Sequence, residues 1–193
     1  MLSRSKSLLV LVLAITLAAT GCSAQWINIA LQDLPVLTQM ALNIATLVSA
    51  LASGQQANPG DVAVIQNISA QASRDLNLLL SLYAEYKANP SATTLQKIQN
   101  VISDLDQNLP ALLESAHISN STLAARITAA INLILTTVNN FAALMPQTAP
   151  ATSQRLPITP PTAKQLKQQW NQQICAITGN ARFDVALSDC MIR

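Results

Sequence analysis

The stretch ITAAINLILTTVNNFAALM, Ile127 to Met145, decides the fold. Its apolar residues Ile127, Ile131, Ile134, Val138, Phe141 and Met145 recur at steps of four, three, four, three and four. That alternation holds one stripe of side chains on one side of an α-helix, the narrow seam of a helix packed lengthwise on its neighbours. Arg126, Asn132, Asn139 and Asn140 fall off the seam and suit water. Asn120-Ser121-Thr122 offers a cap at the start, and Met145-Pro146 closes the segment.

The same seam occurs three times upstream. Leu34, Leu37, Ala41, Ile44, Val48 and Leu51 form the first, ended by Ser53-Gly54, with Pro35 near its start. Residues 24–33 are expected to be a separate turn or a kinked extension of it. The second is Ile65, Ile68, Ala72, Leu76, Leu79, Tyr83 and Tyr86, with Asp61 as its expected N-cap. The third is Leu95, Ile98, Ile102, Leu105, Leu109 and Leu112, with a kink expected at Pro110. IQNI at Ile65 to Ile68 echoes IQNV at Ile98 to Val101, which convergence on one heptad also explains.

Composition agrees with helices. Half of the 193 residues are apolar, aromatics are 3%, and Gly numbers four, so strand and turn signals are scarce. Four helices with short loops pack most simply up-down-up-down. The expected fold is therefore all-α: an up-down four-helix bundle over residues 22–145, a Pro-rich linker over 146–161, and a small C-terminal helical module over 162–193. In that module Ala163, Leu166, Trp170, Ile174 and Ile177 make a helical stripe with Gly179 as its expected C-cap, and Phe183, Leu187 and Met191 suggest a second short helix. Cys175 and Cys190 can staple the two helices in an oxidising compartment; two free buried thiols are the competing reading.

Charge separates the parts. Only 10% of residues are charged. Residues 22–145 carry four basic and seven acidic residues, and residues 146–193 carry five basic and two acidic. A basic tail either touches an anionic surface or docks on the acidic bundle. Without Arg4 and Lys6 the chain is neutral, which speaks against nucleic acid.

Those two residues head the N-terminus. Arg4 and Lys6 precede an apolar run from Leu8 to Ala19 that only Thr16 interrupts, followed by Thr20-Gly21-Cys22. Charged head, short apolar core and small-residue exit describe a secretory signal over residues 1–21, too short for a membrane span of roughly 20 apolar residues. Ala19-Thr20-Gly21-Cys22 resembles the lipobox of bacterial lipoproteins, with Ala19 in place of the commoner Leu. The resemblance covers residues 1–22 and implies cleavage before Cys22 and acylation of that cysteine, palmitate included. With Ser23 rather than Asp next, it also implies the outer membrane. The competing reading is an ordinary signal cut after Ala24, for which Cys22-Ser23-Ala24 has the small-x-small form. A lipid on Cys22 leaves Cys175 and Cys190 as an even pair.

No catalytic constellation is legible. His117 is the single histidine, in a turn-like segment, and there is no Glu-x-x-His pair, Gly-rich phosphate loop or haem-attachment motif. Asp104 and Asp106 lie two apart, hence on different helix faces. The expectation is a non-enzyme without cofactor or metal. It is a lipid-anchored cell-envelope protein that binds or scaffolds another envelope protein. Tyr83, Tyr86, Trp170, Lys164 and Lys167 are candidate partner contacts, although aromatics at seam spacing also suit a core. The alternative is a membrane-inserted protein whose apolar helices, 36–52 and 122–145, span or perturb the bilayer.

Overall fold

The computed structural model describes residues 25–49, 58–116, 118, 120–145, 160–177, 179 and 181–193. Cys22, Leu51, His117, the Ser53-Gly54 stop and most of the Pro-rich linker lie outside the described residues, as do the side chains of Arg182 and Phe183. The described residues form six helices: α1 over residues 25–49, α2 Pro59–Ala88, α3 Ala92–Ser115, α4 Ser121–Leu144, α5 Ala163–Gln173 and α6 Ala181–Cys190. The first four are long and pack side by side around one apolar core, an all-α bundle.

Polar ties record the alternating direction of the chain. The α2 start meets the α1 end: Ser69 Oγ donates to the Ala41 carbonyl (2.6 Å) and Gln66 to Ser49. The α3 start meets the α2 end, where Thr94 donates to Glu85 (2.7 Å). Asn139 of α4 donates to Asp106 of α3 (2.8 Å). Trp26 at the start of α1 lies against Tyr83 and Tyr86 near the end of α2.

The four seams are the core. Every described seam residue is buried except Leu112, which is half-buried. Burial of such stripes, at about 25 cal/mol per Å² of apolar surface, is the dominant attraction holding these helices together. Local chemistry sets their ends. Asn58 rather than Asp61 caps α2: its side chain accepts the Gly60 N–H, and Pro59 takes the first helical position, where it forfeits no bond. Asp61 sits in the first turn, buried. Ser91 caps α3 and Asn120 caps α4.

One expectation about proline changes. Residues 25–33 belong to α1, which runs unbroken through Pro35. Pro35 is exposed, so the carbonyl four residues back faces the outer side of the helix, where loss of its bond is least costly. Trp26, Ile27 and Ala30 extend the apolar seam by two turns and anchor that segment in the core. Helix α3 contains Pro110 in its last third, the position at which the kink is expected.

The tail is docked. Leu166, Trp170, Ile174, Leu187 and Ile192 join the core cluster, and Cys175 and Cys190 are bonded as a disulfide and fully buried. Helix α5 ends earlier than the stripe predicts, at Gln173 with Ile174 as its C-cap. The chain turns there to bring Cys175 to Cys190, so Ile177 leaves the stripe and stands 67% exposed, and Met191 is also exposed. Gly179 is not a helix cap. It sits in the connection to α6 with φ of 84°, a left-handed conformation that suits glycine.

Candidate functional site

The described polar chemistry gathers where the tail meets the bundle, on a seat formed by α1 and α4. Each of these helices carries one charged residue, Asp33 on α1 and Arg126 on α4. Both are committed to α5. Asp33 is 2% exposed and accepts the backbone N–H of Ala163, the first residue of α5. At the other end, the Arg126 guanidinium donates to the carbonyls of Ile174 and Ala176, the latter at 2.9 Å. A helix is positive at its N-terminus and negative at its C-terminus. The bundle therefore presents an anion to the positive end of α5 and a cation to the negative end.

Asn43 supplies the middle of the seat. Its Nδ2 donates to the Cys190 carbonyl (2.9 Å), and its Oδ1 accepts from Gln39 (2.8 Å). The same carbonyl accepts from the Trp170 indole (2.9 Å), so one peptide oxygen ties α1, α5 and α6 together. Within the tail, Asn171 exchanges two hydrogen bonds with Ile192, and Thr162 and Gln165 close a capping box at the start of α5. These contacts order the module as helix α5 running parallel to α1, with Cys190 returning beneath Trp170.

Burial shapes the titration of the seat. Desolvation pushes the Asp33 carboxyl up to about 6, while the Ala163 N–H pulls it back part of the way. Burial lowers Arg126 from its usual value, and the Asp184 carboxylate opposes that. Desolvation raises the Tyr83 phenol above the ordinary tyrosine range. Among the described residues, Asp33 Oδ2, Trp26 Nε1 and the Tyr83 hydroxyl are buried without a hydrogen-bond partner. Trp26 and Tyr83 are edge-to-face, ring centres 5.5 Å apart, and Tyr86 lies 6.2 Å from Trp26.

The residues expected to meet a partner divide. Tyr83 and Trp170 are fully buried and Tyr86 nearly so; they are core residues, because seam spacing points them at neighbouring helices. Lys164 is exposed, and Lys167 is half-buried with its ammonium on the Arg193 carbonyl (2.6 Å). Asp104 is exposed and Asp106 holds Asn139. Of the two expectations for the tail, docking on the bundle is the one seen, and its described polar ties run through Asp33, Asn43 and Arg126, which take backbone groups. Sequence reasoning missed these three. The available signal was a lone charge on each of two otherwise uncharged helices.

A groove lies between the bundle and the tail. It has a volume of about 390 Å³ and is lined by Leu133, Thr136, Thr137 and Asn140 of α4 and by Pro160, Pro161, Gln165 and Gln169 of the tail. No group of His, Cys, Asp and Glu able to hold a metal occurs among the described residues. Among them one helix, Ser121–Leu144, is long and apolar enough to cross a membrane; its seam from Ile127 to Phe141 is buried against the other helices. No family model matches this chain, and neither a curated protein nor a solved structure is similar to it.

Proposed function

We propose that the chain is a lipid-anchored protein of the bacterial envelope, held by an acylated Cys22 and serving as a binding or scaffolding element without catalysis. The supporting observation is the Cys175–Cys190 disulfide. Such bonds persist in oxidising compartments outside the cytoplasm. This one also uses two of the three cysteines, leaving Cys22 at the lipobox-like exit as the odd thiol. Several acyl chains, each buried CH₂ contributing ~0.8 kcal/mol, make a lasting anchor. On this reading Trp26 of α1 is four residues past the anchor, so the end of the bundle bearing Trp26, Tyr83 and Tyr86 faces the lipid.

The test is the intact mass of the mature chain together with its extraction behaviour. The expected mass begins at Cys22 and includes acyl groups. Replacing Cys22→Ala behind a non-lipid signal peptide should move the protein into the soluble fraction. A mature chain starting at Gln25, or a Cys22→Ala form that stays in the membrane, overturns the reading; the second outcome favours insertion of apolar helices, for which Ser121–Leu144 is the candidate.

A further inference from the structure

We propose that docking of the α5–α6 tail is proton-linked through Asp33, so that the tail sits firmly while this carboxyl holds a proton and loosens from the bundle once the proton is lost.

The geometry of the α1–α5 contact singles out this residue. Asp33 is 2% exposed and lies under the first turn of α5. One of its oxygens accepts the Ala163 N–H, and the other, Oδ2, is buried without a hydrogen-bond partner. A buried carboxylate needs several donors to replace its water, and the docked tail supplies this one backbone N–H. A proton on Oδ2 removes the charge and leaves the Ala163 bond in place. The stranded oxygen is therefore tolerable in the acid and costly in the anion.

No neighbouring charge offsets that cost. Among the described residues, α1 and α4 bring no other titratable group except Arg126, which is engaged at the far end of α5 with the Ile174 and Ala176 carbonyls. On α5 itself Lys164 is exposed and Lys167 holds the Arg193 carbonyl. On α2 Arg74 and Asp75 are both bonded to Gln71, and burial keeps the Tyr83 phenol protonated. On α6 Asp184 acts on Arg126, and Asp189 is exposed. Burial and the Ala163 N–H alone set the affinity of Asp33 for its proton.

Lifting α5 returns the carboxyl to water and to its ordinary value of 3.8, against about 6 when docked. The docked form binds the proton more tightly, so docking weakens as pH rises. With these two values the docking constant should fall about tenfold between pH 5 and pH 7.5. The Cys175–Cys190 disulfide makes α6 follow α5. Release bares Leu166, Trp170 and Ile174 together with the seat, an apolar surface that the docked form hides.

The experiment follows amide exchange in the full mature chain from pH 5 to pH 7.5, with the intrinsic pH dependence of exchange divided out. Protection of the amides from Leu166 to Trp170 should fall about tenfold over that range. It should also stay below the protection of Ile68 to Leu79 in α2, because the tail opens ahead of the bundle. In Asp33→Asn the α5 protection should hold one level across the range. The Asp33 carboxyl carbon, followed by NMR in the unsubstituted chain, should titrate near 6. One common protection for α5 and α2 at every pH would mean that the tail leaves only when the whole bundle unfolds, and overturns the proposal. An Asp33→Asn chain that still loses α5 protection overturns it, and so does a carboxyl that titrates near 3.8. None of these readouts depends on a lipid at Cys22, so the anchor reading stands or falls separately.

Discussion

Among the described residues three buried polar atoms lack partners, Asp33 Oδ2, Trp26 Nε1 and the Tyr83 hydroxyl, and at these residues the chain departs from an ideal helical core. An unsatisfied buried donor forfeits its hydration for nothing in return. Tyr83→Phe keeps the ring against Trp26 and removes the stranded hydroxyl. It should stabilise the fold by about 1 kcal/mol, read as a higher urea midpoint at unchanged slope. Asp33 makes a prediction about pH. Its carboxyl titrates near 6 in the folded chain against 3.8 as the ordinary value, so between these the folded state binds more protons than the unfolded. Its contribution to stability is present below pH 3.8 and is lost as pH rises through about 6. Asp33→Asn retains an oxygen to accept the Ala163 N–H and has no charge to desolvate. The substituted chain should therefore be the more stable of the two at pH 7, with the difference disappearing near pH 4; urea midpoints across that range check it.

Among the elements, α1 and α4 carry almost no charge and α2 and α3 carry most of it, including Arg74, Asp75, Glu85, Lys87, Lys97, Asp104, Asp106 and Glu114. The physical reason is what each covers. The seat on α1 and α4 lies under the tail, where an unpaired charge would be desolvated, while much of the outer surface of α2 and α3 faces water. The charges α1 and α4 retain are the two that meet the ends of α5. Arg126→Ala would leave the Ile174 and Ala176 carbonyls without their donor and should weaken tail docking by roughly 2 kcal/mol. Amide exchange should rise in α5 and α6 and stay unchanged in α2 and α3. The disulfide acts on the same element. Cys175 and Cys190 are separated by 15 positions, and their joint replacement by Ser should cost about 3 kcal/mol. The loss should fall on the tail, with most of the bundle's helical circular dichroism retained.

Over the whole molecule, a single apolar core reaches from Trp26 at the start of α1 to Ile192 beside the C-terminus, so tail and bundle share their buried surface. Truncation after Met145 should uncover the α1–α4 seat, lower the melting temperature and make the bundle bind a hydrophobic dye; a truncated chain that melts unchanged without dye binding would refute the shared core. The seams explain why the bundle was legible in the amino-acid sequence. A repeat of three and four residues states which side of a helix is apolar, and each of Ile65, Ile98, Leu105, Ile127 and Phe141 is buried as its spacing requires. Segment ends were less legible: Pro35 read as a boundary because its ring opposes helix geometry, yet burial of Trp26 and Ile27 outweighs one lost hydrogen bond. The candidate site was scarcely legible. Asp33, Asn43 and Arg126 act on backbone groups of a segment more than a hundred residues away in two of the three cases, and backbone partners leave no mark on side-chain patterns. Periodicity, a local property of consecutive residues, was thus enough to specify the helices and the core. Where the tail sits and which polar groups hold it depended on contacts between distant segments, settled only once the helices had packed.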